Sequence, residues 1–123
     1  AWRRAMNWAV DWPWWAVDPR QGAMSTRLQA FFEAQGMADY QSLYTLDGKP
    51  LGGGQTTGLV ATNAVASLAA DHPRRLAFVR ALWDQPVPSG QHRYYDGMLY
   101  LMALLHCSGD FRAWLPEHGE AGN

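Results

Sequence analysis

Residues 58–83, GLVATNAVASLAADHPRRLAFVRALW, carry two apolar patterns with the spacing of α-helices. The first covers residues 58–70, and its apolar side chains are small or branched enough for close helix packing. The second ends at Trp83 and follows Asp71-His72-Pro73, where Asp71 is predicted to cap the helix. Because the connection is short, we expect the two helices to pack against each other as an antiparallel hairpin.

The flanking sequence extends this helical pattern in both directions. Upstream, Asp18-Pro19 supplies a cap and a first helical residue, and Gly36 ends the helix after residue 35. Downstream, a helix is predicted over residues 94–107, with Ser108-Gly109 as its end. With a further helix over residues 1–12, the sequence predicts five helices and an all-α fold built from helical hairpins.

Residues 37–57 interrupt the helical pattern. Aromatic and leucine side chains flank Asp47-Gly48, which predicts a loop with at most a short hairpin. The glycines at 52–54 precede a helix, as in a phosphate-binding loop, but no strand leads into them and no Lys-Ser/Thr pair follows. We therefore interpret this segment as a flexible loop.

The beginning of the sequence is rich in tryptophan. Five of the seven Trp residues lie within the first fifteen positions, which favours an interface or a ligand groove. The helix over residues 1–12 has no capping residue before it, so we expect a larger domain to have been cut here. Trp12, Trp14 and Trp15, around Pro13, are expected to pack against a neighbouring hairpin.

Composition excludes several classes of function. The chain has 123 residues, enough for one domain, and ten Lys+Arg against eleven Asp+Glu give a net charge of −1. This balance excludes a nucleic-acid partner and a basic membrane-binding surface, and no apolar run approaches the ~20 residues of a membrane span. Cys107 is the single cysteine and is interpreted as a structural thiol. The four histidines lack metal-ligand spacing, so neither a metal nor a cofactor is expected.

The carboxylates offer few candidates for acid–base chemistry. Only three Glu residues occur, and none is predicted to be desolvated enough to hold a proton near neutral pH. Asp96 stands out because it follows Tyr94-Tyr95 at the start of a helix. It is either a first-turn acid favoured by the helix dipole or part of a sugar-binding cleft, in which aromatic rings stack on pyranose faces.

Four segments together resemble glycoside hydrolase family 8, the cellulase family. Residues 94–111, YYDGMLYLMALLHCSGDF, are similar to the last helix of that family, with its Tyr-Tyr-Asn/Asp start and its Leu-Leu-x-x-Ser-Gly-x-Phe ending. Residues 2–7 (WRRAMN) and 17–20 (VDPR) resemble the segments that follow the family's catalytic base, although Ala1 stands where proline is usual. Residues 58–64 (GLVATNA) are similar to the penultimate helical hairpin.

The resemblance implies the C-terminal part of an (α/α)6 toroid over residues 1–115, followed by a flexible tail at 116–123. It implies an endo-β-1,4-glucanase, a cellulase that cleaves internal bonds of β-glucan with inversion, in a secreted or periplasmic location. The general-acid Glu and the base Asp are expected upstream of Ala1. The 123-residue chain alone is therefore expected to be inactive and to need the N-terminal part of the same domain as its partner.

The resemblance also suggests sugar-contacting residues, namely Tyr94, Tyr95, Asp96, Trp2 and Arg3. Trp2 and Arg3 could instead pack behind the catalytic loop. From the helical period, Tyr95 is expected on the buried face with Leu99 and Met102, and Tyr94, rotated by about 100°, is the better sugar contact. The alternative function is a non-catalytic helical module that binds carbohydrate or a protein partner.

Overall fold

The computed structural model describes residues 19–110, which form four helices and one two-stranded ribbon. The elements in chain order are α1 (Pro19–Gln35), β1 (Leu43–Tyr44), β2 (Pro50–Gly52), α2 (Thr57–Ala66), α3 (Arg75–Trp83) and α4 (Arg93–Ser108). This order confirms the prediction of helices with at most minor strands. The predicted helix over 1–12 and the predicted tail lie outside the described residues.

Helix α2 lies at the centre of the described structure, in contact with α1, α3 and α4. Every residue from Gly58 to Ala66 is buried, and most of these side chains are small or branched, which allows neighbouring helices to approach closely. The Thr56 hydroxyl caps the helix by accepting a hydrogen bond from the Leu59 N–H at 3.2 Å.

The predicted end of α2 at residue 70 is wrong by four residues. After Ala66 the chain tightens into turns in which the N–H groups of residues 67–69 bond to the carbonyl three residues before them, as from Leu68 to Val65 at 3.0 Å. The Ser67 hydroxyl donates to the Arg75 carbonyl at 2.8 Å. This contact joins the end of α2 to the start of α3.

Asp71 is not the cap of α3, contrary to the sequence prediction. The helix begins at Arg75, and its N-cap residue Arg74 makes no side-chain capping bond. The Asp71 N–H instead donates to the Thr26 hydroxyl at 2.8 Å, which attaches this connection to α1. The bond to Thr26 therefore holds the connection before α3 and does not cap the helix.

A buried histidine strengthens the same attachment. The His72 Nε2 lies 3.1 Å from the Glu33 carboxylate on α1, and its Nδ1 accepts a hydrogen bond from the Arg74 N–H at 3.3 Å. Because Nδ1 accepts, Nε2 carries the hydrogen and donates to Glu33. The Arg74 Nε lies 3.4 Å from the same carboxylate.

Two apolar clusters form the core on either side of α2. The first lies towards α4 and contains Ala61, Ala64, Val65, Ala69, Leu82 and Ala103. The second lies towards α1 and contains Phe32, Tyr40, Leu59, Val60 and Phe78. Edge-on aromatic contacts extend the second cluster to the ribbon, with the Phe31 and Tyr44 ring centroids 4.9 Å apart.

The ribbon turns where the sequence predicted it, at Asp47-Gly48. Gly48 has a φ of +84°, which non-glycine residues rarely adopt, and a Cβ there would lie 3.2 Å from the Phe31 ring. The Thr45 N–H donates to the Lys49 carbonyl at 2.9 Å and closes the turn. β1 and β2 are antiparallel.

Candidate functional site

The N-terminal end of α2 and the middle of α4 meet the start of the connection between α3 and α4, and Gln85 in that connection bonds to both helices. The Thr57 hydroxyl, in the first turn of α2, donates to the Gln85 side-chain oxygen at 3.2 Å. The Tyr100 hydroxyl, on α4, donates to the Gln85 carbonyl at 3.2 Å. The connection is thereby fixed to both helices just before the segment that leads to Tyr94. We call Thr57, Gln85 and Tyr100 the Gln85 junction.

Asp96 packs directly against the first turn of α2. A Cβ added at Gly58 would lie 2.7 Å from the Asp96 Oδ1 and 2.8 Å from the Leu99 Cδ1, closer than real Cβ contacts. The half-buried carboxylate therefore lies beside two helix N-termini, that of its own helix and that of α2. Both termini favour a negative charge. The first-turn interpretation of Asp96 is confirmed, and its role in binding sugar stays a prediction.

The two adjacent tyrosines are both accessible to solvent. Tyr94 is 81% exposed, as expected for the better sugar contact. Tyr95 is 46% exposed, so the prediction of a core position for Tyr95 is wrong for the described structure. The helical period is correct, because Leu99 and Met102 pack on the apolar cluster towards α4. Leu99 packs against Gly58, the second residue of α2. Tyr95 lies one turn nearer to the N-terminus of α4, where less of α2 is left to cover it.

Two more apolar side chains follow Tyr94 on the exposed side of α4. Met98 and Leu101, four and seven residues after Tyr94, are about half exposed, at 47% and 50%. The spacing places Tyr94, Met98 and Leu101 on one stripe of the helix. This stripe is the exposed face of α4.

Trp2 and Arg3 lie outside the described residues, so their predicted sugar contacts stay predictions. The Gln85 junction was missed by sequence reasoning. Thr57 and Gln85 are 28 positions apart, and nothing in their local sequence pairs them. The one local signal is the pair Thr56-Thr57 at the start of α2, because hydroxyl side chains at a helix start commonly make such hydrogen bonds.

The described residues contain no group of three or more His, Cys, Asp and Glu side chains that could hold a metal ion. Cys107 packs against the cluster towards α4, and burial raises the pKa of its thiol to about 12. A thiol with so high a pKa is almost entirely protonated near neutral pH and is a poor nucleophile, in agreement with a structural role. Within residues 19–110, none of the helices combines the length and the apolar character required to cross a bilayer.

Helices arranged in this way are similar to those of the C-terminal part of the (α/α)6 toroid of glycoside hydrolase family 8. The GH8 xylanase of Teredinibacter turnerae, solved with xylobiose and with xylohexaose, is 56% identical with a TM-score of 0.86, over 94% of this chain and 29% of that one. No family model matches the chain.

Two curated relatives have the same kind of name. Rex8A of Paenibacillus barcinonensis, a reducing-end xylose-releasing exo-oligoxylanase, is 44% identical over 93% of this chain and 30% of its own length. A reducing end xylose-releasing exo-oligoxylanase of Halalkalibacterium halodurans is 39% identical over 98% of this chain and 31% of its own length. The chain thus spans about a third or less of these relatives. The family resemblance and the fold class predicted from sequence are confirmed.

Proposed function

We propose that the protein containing this chain is a glycoside hydrolase that cleaves the β-1,4 bonds of xylan or xylo-oligosaccharides, and that this chain forms one wall of its sugar cleft. The observation that carries the proposal is the 56% identity with a GH8 xylanase over nearly the whole chain. The exposed Tyr94 ring, in the first turn of the same helix as Asp96, is compatible with this role.

The substrate proposed here differs from the β-1,4-glucan that the cellulase resemblance implied. The relatives reported above are named for xylan or xylose release, and none of their names mentions cellulose. Xylan and cellulose share the β-1,4 linkage, but xylose lacks the hydroxymethyl group of glucose. A cleft that follows the backbone of either polymer distinguishes them by the space left for that group.

Within the cleft, we assign binding rather than acid–base chemistry to this chain. Inverting hydrolysis needs two carboxyl groups on opposite sides of the scissile bond, about 6.5–9.5 Å apart. Glu33 is paired with His72 and Arg74, far in sequence from Tyr94, and Asp47 is paired with Lys49 at a ribbon turn. Asp96 is held against Gly58 at the start of α2, so this carboxylate also belongs to the packing between two helices.

Tyr94 is proposed as the stacking surface for a xylose ring. An aromatic side chain offers an apolar face of the size of a pyranose, and Tyr94 stands at the N-terminal end of α4 with most of its surface accessible. The Gln85 junction holds the start of the preceding connection against α2 and α4, and Tyr94 itself lies in the first turn of α4, so the ring is presented from a helical backbone. A preorganised contact costs less entropy when sugar binds.

The test uses the full-length protein and pairs of soluble oligomers of equal length. With xylohexaose and cellohexaose compared under the same conditions, we expect kcat/KM to be at least tenfold higher for the xylo-oligomer. A preference for cellohexaose or carboxymethyl cellulose would restore the endo-β-1,4-glucanase expected from the motifs. Absence of hydrolysis of every β-1,4-glycan would favour the non-catalytic binding module.

A xylohexaose labelled at its reducing end separates two modes of cleavage. Release of labelled xylose as the first product would indicate reducing-end exo action, as in the names of the curated relatives. A series of labelled xylobiose, xylotriose and longer products would indicate the internal cleavage expected from the sequence. The purified 123-residue chain alone is expected to release no sugar above background in either assay.

We also propose that the protein is exported to the periplasm or the medium, because polymeric xylan cannot enter a cell. Immunodetection in fractionated cultures tests this location. Detection in the cytoplasmic fraction alone would contradict it and would favour short xylo-oligosaccharides as the substrate.

A further inference from the structure

A stripe of polar side chains lies on the buried face of α1. Gln21, Ser25 and Gln29 recur every four residues, and Ser25 and Gln29 are almost completely inaccessible to solvent. The Gln29 Nε2 donates to the Asn63 carbonyl at 3.0 Å and to the Ser67 hydroxyl at 2.7 Å. Both amide hydrogens of Gln29 are therefore used in holding α1 to α2.

Several polar atoms around this contact are buried without a protein partner. Among the described residues they are the Oε1 of Gln21 and Gln29, the Oγ of Ser25, the Tyr40 hydroxyl and both amide atoms of Asn63. Tyr40 and Asn63 are inaccessible to solvent. Burial raises the pKa of Tyr40, and the Asn63 side chain acts in the opposite direction, so the two side chains are neighbours.

Such a concentration of unpaired groups is unusual in a folded protein. Buried polar side-chain atoms nearly always have a partner, and a buried donor or acceptor without one is strongly unfavourable. Gln29, Asn63 and Tyr40 alone contribute four of these atoms. Their chemistry is complementary, because the Gln29 Oε1 accepts, the Tyr40 hydroxyl donates, and the Asn63 amide does both.

We infer that an ordered internal water molecule is bound between the Gln29 Oε1, the Asn63 side-chain amide and the Tyr40 hydroxyl, and bridges α1, α2 and the connection that follows α1. A water molecule donates two hydrogen bonds and accepts two, and buried waters typically make about three bonds to polar groups that would otherwise be unpaired. Ser25, one turn from Gln29, extends the site along α1.

Water fits this site better than the two other ways of pairing the atoms. A direct bond from the Tyr40 hydroxyl to the Asn63 Oδ1 would satisfy one donor and one acceptor, and the Gln29 Oε1 would then need the Asn63 Nδ2 as its donor, a bond that the structure does not contain. A larger polar solute would need an opening to the surface, whereas the residues that form this site are almost completely inaccessible. A single water needs only about one probe-sized space and two to four polar partners.

A crystal structure of the full-length protein, refined at a resolution that orders internal water, tests the site directly. We expect a density peak at about 2.7–3.2 Å from at least three of the four atoms of Gln29, Asn63 and Tyr40. Direct bonds among the three side chains with no peak between them would overturn the inference. So would a side chain from elsewhere in the polypeptide, residues 1–18 included, placed among these atoms.

Coupling between variants provides a second test in solution. Tyr40→Phe and Gln29→Met each remove a partner of the shared water, and Gln29→Met also removes the two direct bonds to α2. We expect Tyr40→Phe to lower Tm by about 2–4 °C, Gln29→Met to lower it by more, and the double variant to lower it by clearly less than the sum. Tyr44→Phe is the matched control, because its hydroxyl already accepts from the Gln41 N–H at 2.8 Å, and its effect should add to that of Gln29→Met. Additive losses for Tyr40→Phe and Gln29→Met would overturn the inference.

Discussion

Helices α2 and α4 pack against each other but differ in almost every other respect. In α2 nine of the ten residues are buried, whereas among the sixteen residues of α4 only Ala103 is buried. Small residues explain the burial of α2, because they let its three neighbouring helices pack close to its axis. Helix α4 packs through one stripe and presents Tyr94, Met98 and Leu101 on another. Apolar content alone therefore does not tell which helix is central, while side-chain size does.

The largest expected effect concerns Cys107, which lies on the packed side of α4. Since burial raises the pKa of this thiol from 9.0 to about 12, its reactive thiolate is roughly a thousandfold rarer at pH 8 than for an ordinary cysteine. We expect labelling of the native protein by a disulfide reagent to be slow and to accelerate tenfold per pH unit from 7 to 9.5 without a plateau. Denaturant should restore ordinary reactivity. Fast labelling of the native thiol would show that this side of α4 is accessible to solvent and would contradict the prediction.

The next effect tests the close contact between the two helices. Gly58→Ala places a methyl group against the Asp96 carboxylate and Leu99, so we expect the free energy of unfolding to fall by about 2–3 kcal/mol. Gly97→Ala is the matched control, since a Cβ there meets nothing within 4 Å. Alanine also favours the helix, so this variant should gain about 0.5–1 kcal/mol. Denaturation of both variants checks the pair, and equal losses would contradict the tight α2–α4 contact.

The sequence predicted this packing in part. Apolar periodicity, together with the residues that begin or end helices, predicted α1 and α4 nearly to the residue, because Pro19, Gly36 and Gly109 act on the local backbone. Gly109, for example, ends α4 in the left-handed conformation. The predicted cap at Asp71 and the predicted end of α2 were wrong, because both places make contacts with residues elsewhere in the sequence. Asp71 bonds to Thr26, and Ser67, just after α2, bonds to Arg75. The Gln85 junction and the buried polar stripe depend on partners 15 or more positions apart, which no local pattern contains.

Tyr100→Phe should have a smaller effect, confined to the Gln85 junction. The variant keeps the ring and removes the hydroxyl that donates to the Gln85 carbonyl, so the loss of stability should be about 1 kcal/mol. Tyr94→Phe removes a hydroxyl from an exposed ring on the same helix and should change the stability little. Thermal unfolding of the two full-length variants provides the measurement. If the two losses are equal, the junction does not fix the connection.

Tyr94→Ala is expected to have the smallest effect on stability and still to lower activity. The side chain is 81% exposed, so its removal creates no cavity, and Tm should stay within the error of the wild type. Loss of one stacking contact with a sugar ring should reduce transition-state stabilisation by about 1 kcal/mol, which lowers kcat/KM for xylohexaose roughly fivefold. Tyr94→Phe, which keeps the ring, should retain most of this activity. A Tyr94→Ala variant with a lower Tm and an unchanged kcat/KM would place Tyr94 in an interface of the full-length protein, and the exposed face of α4 would then be a packing surface along its whole length.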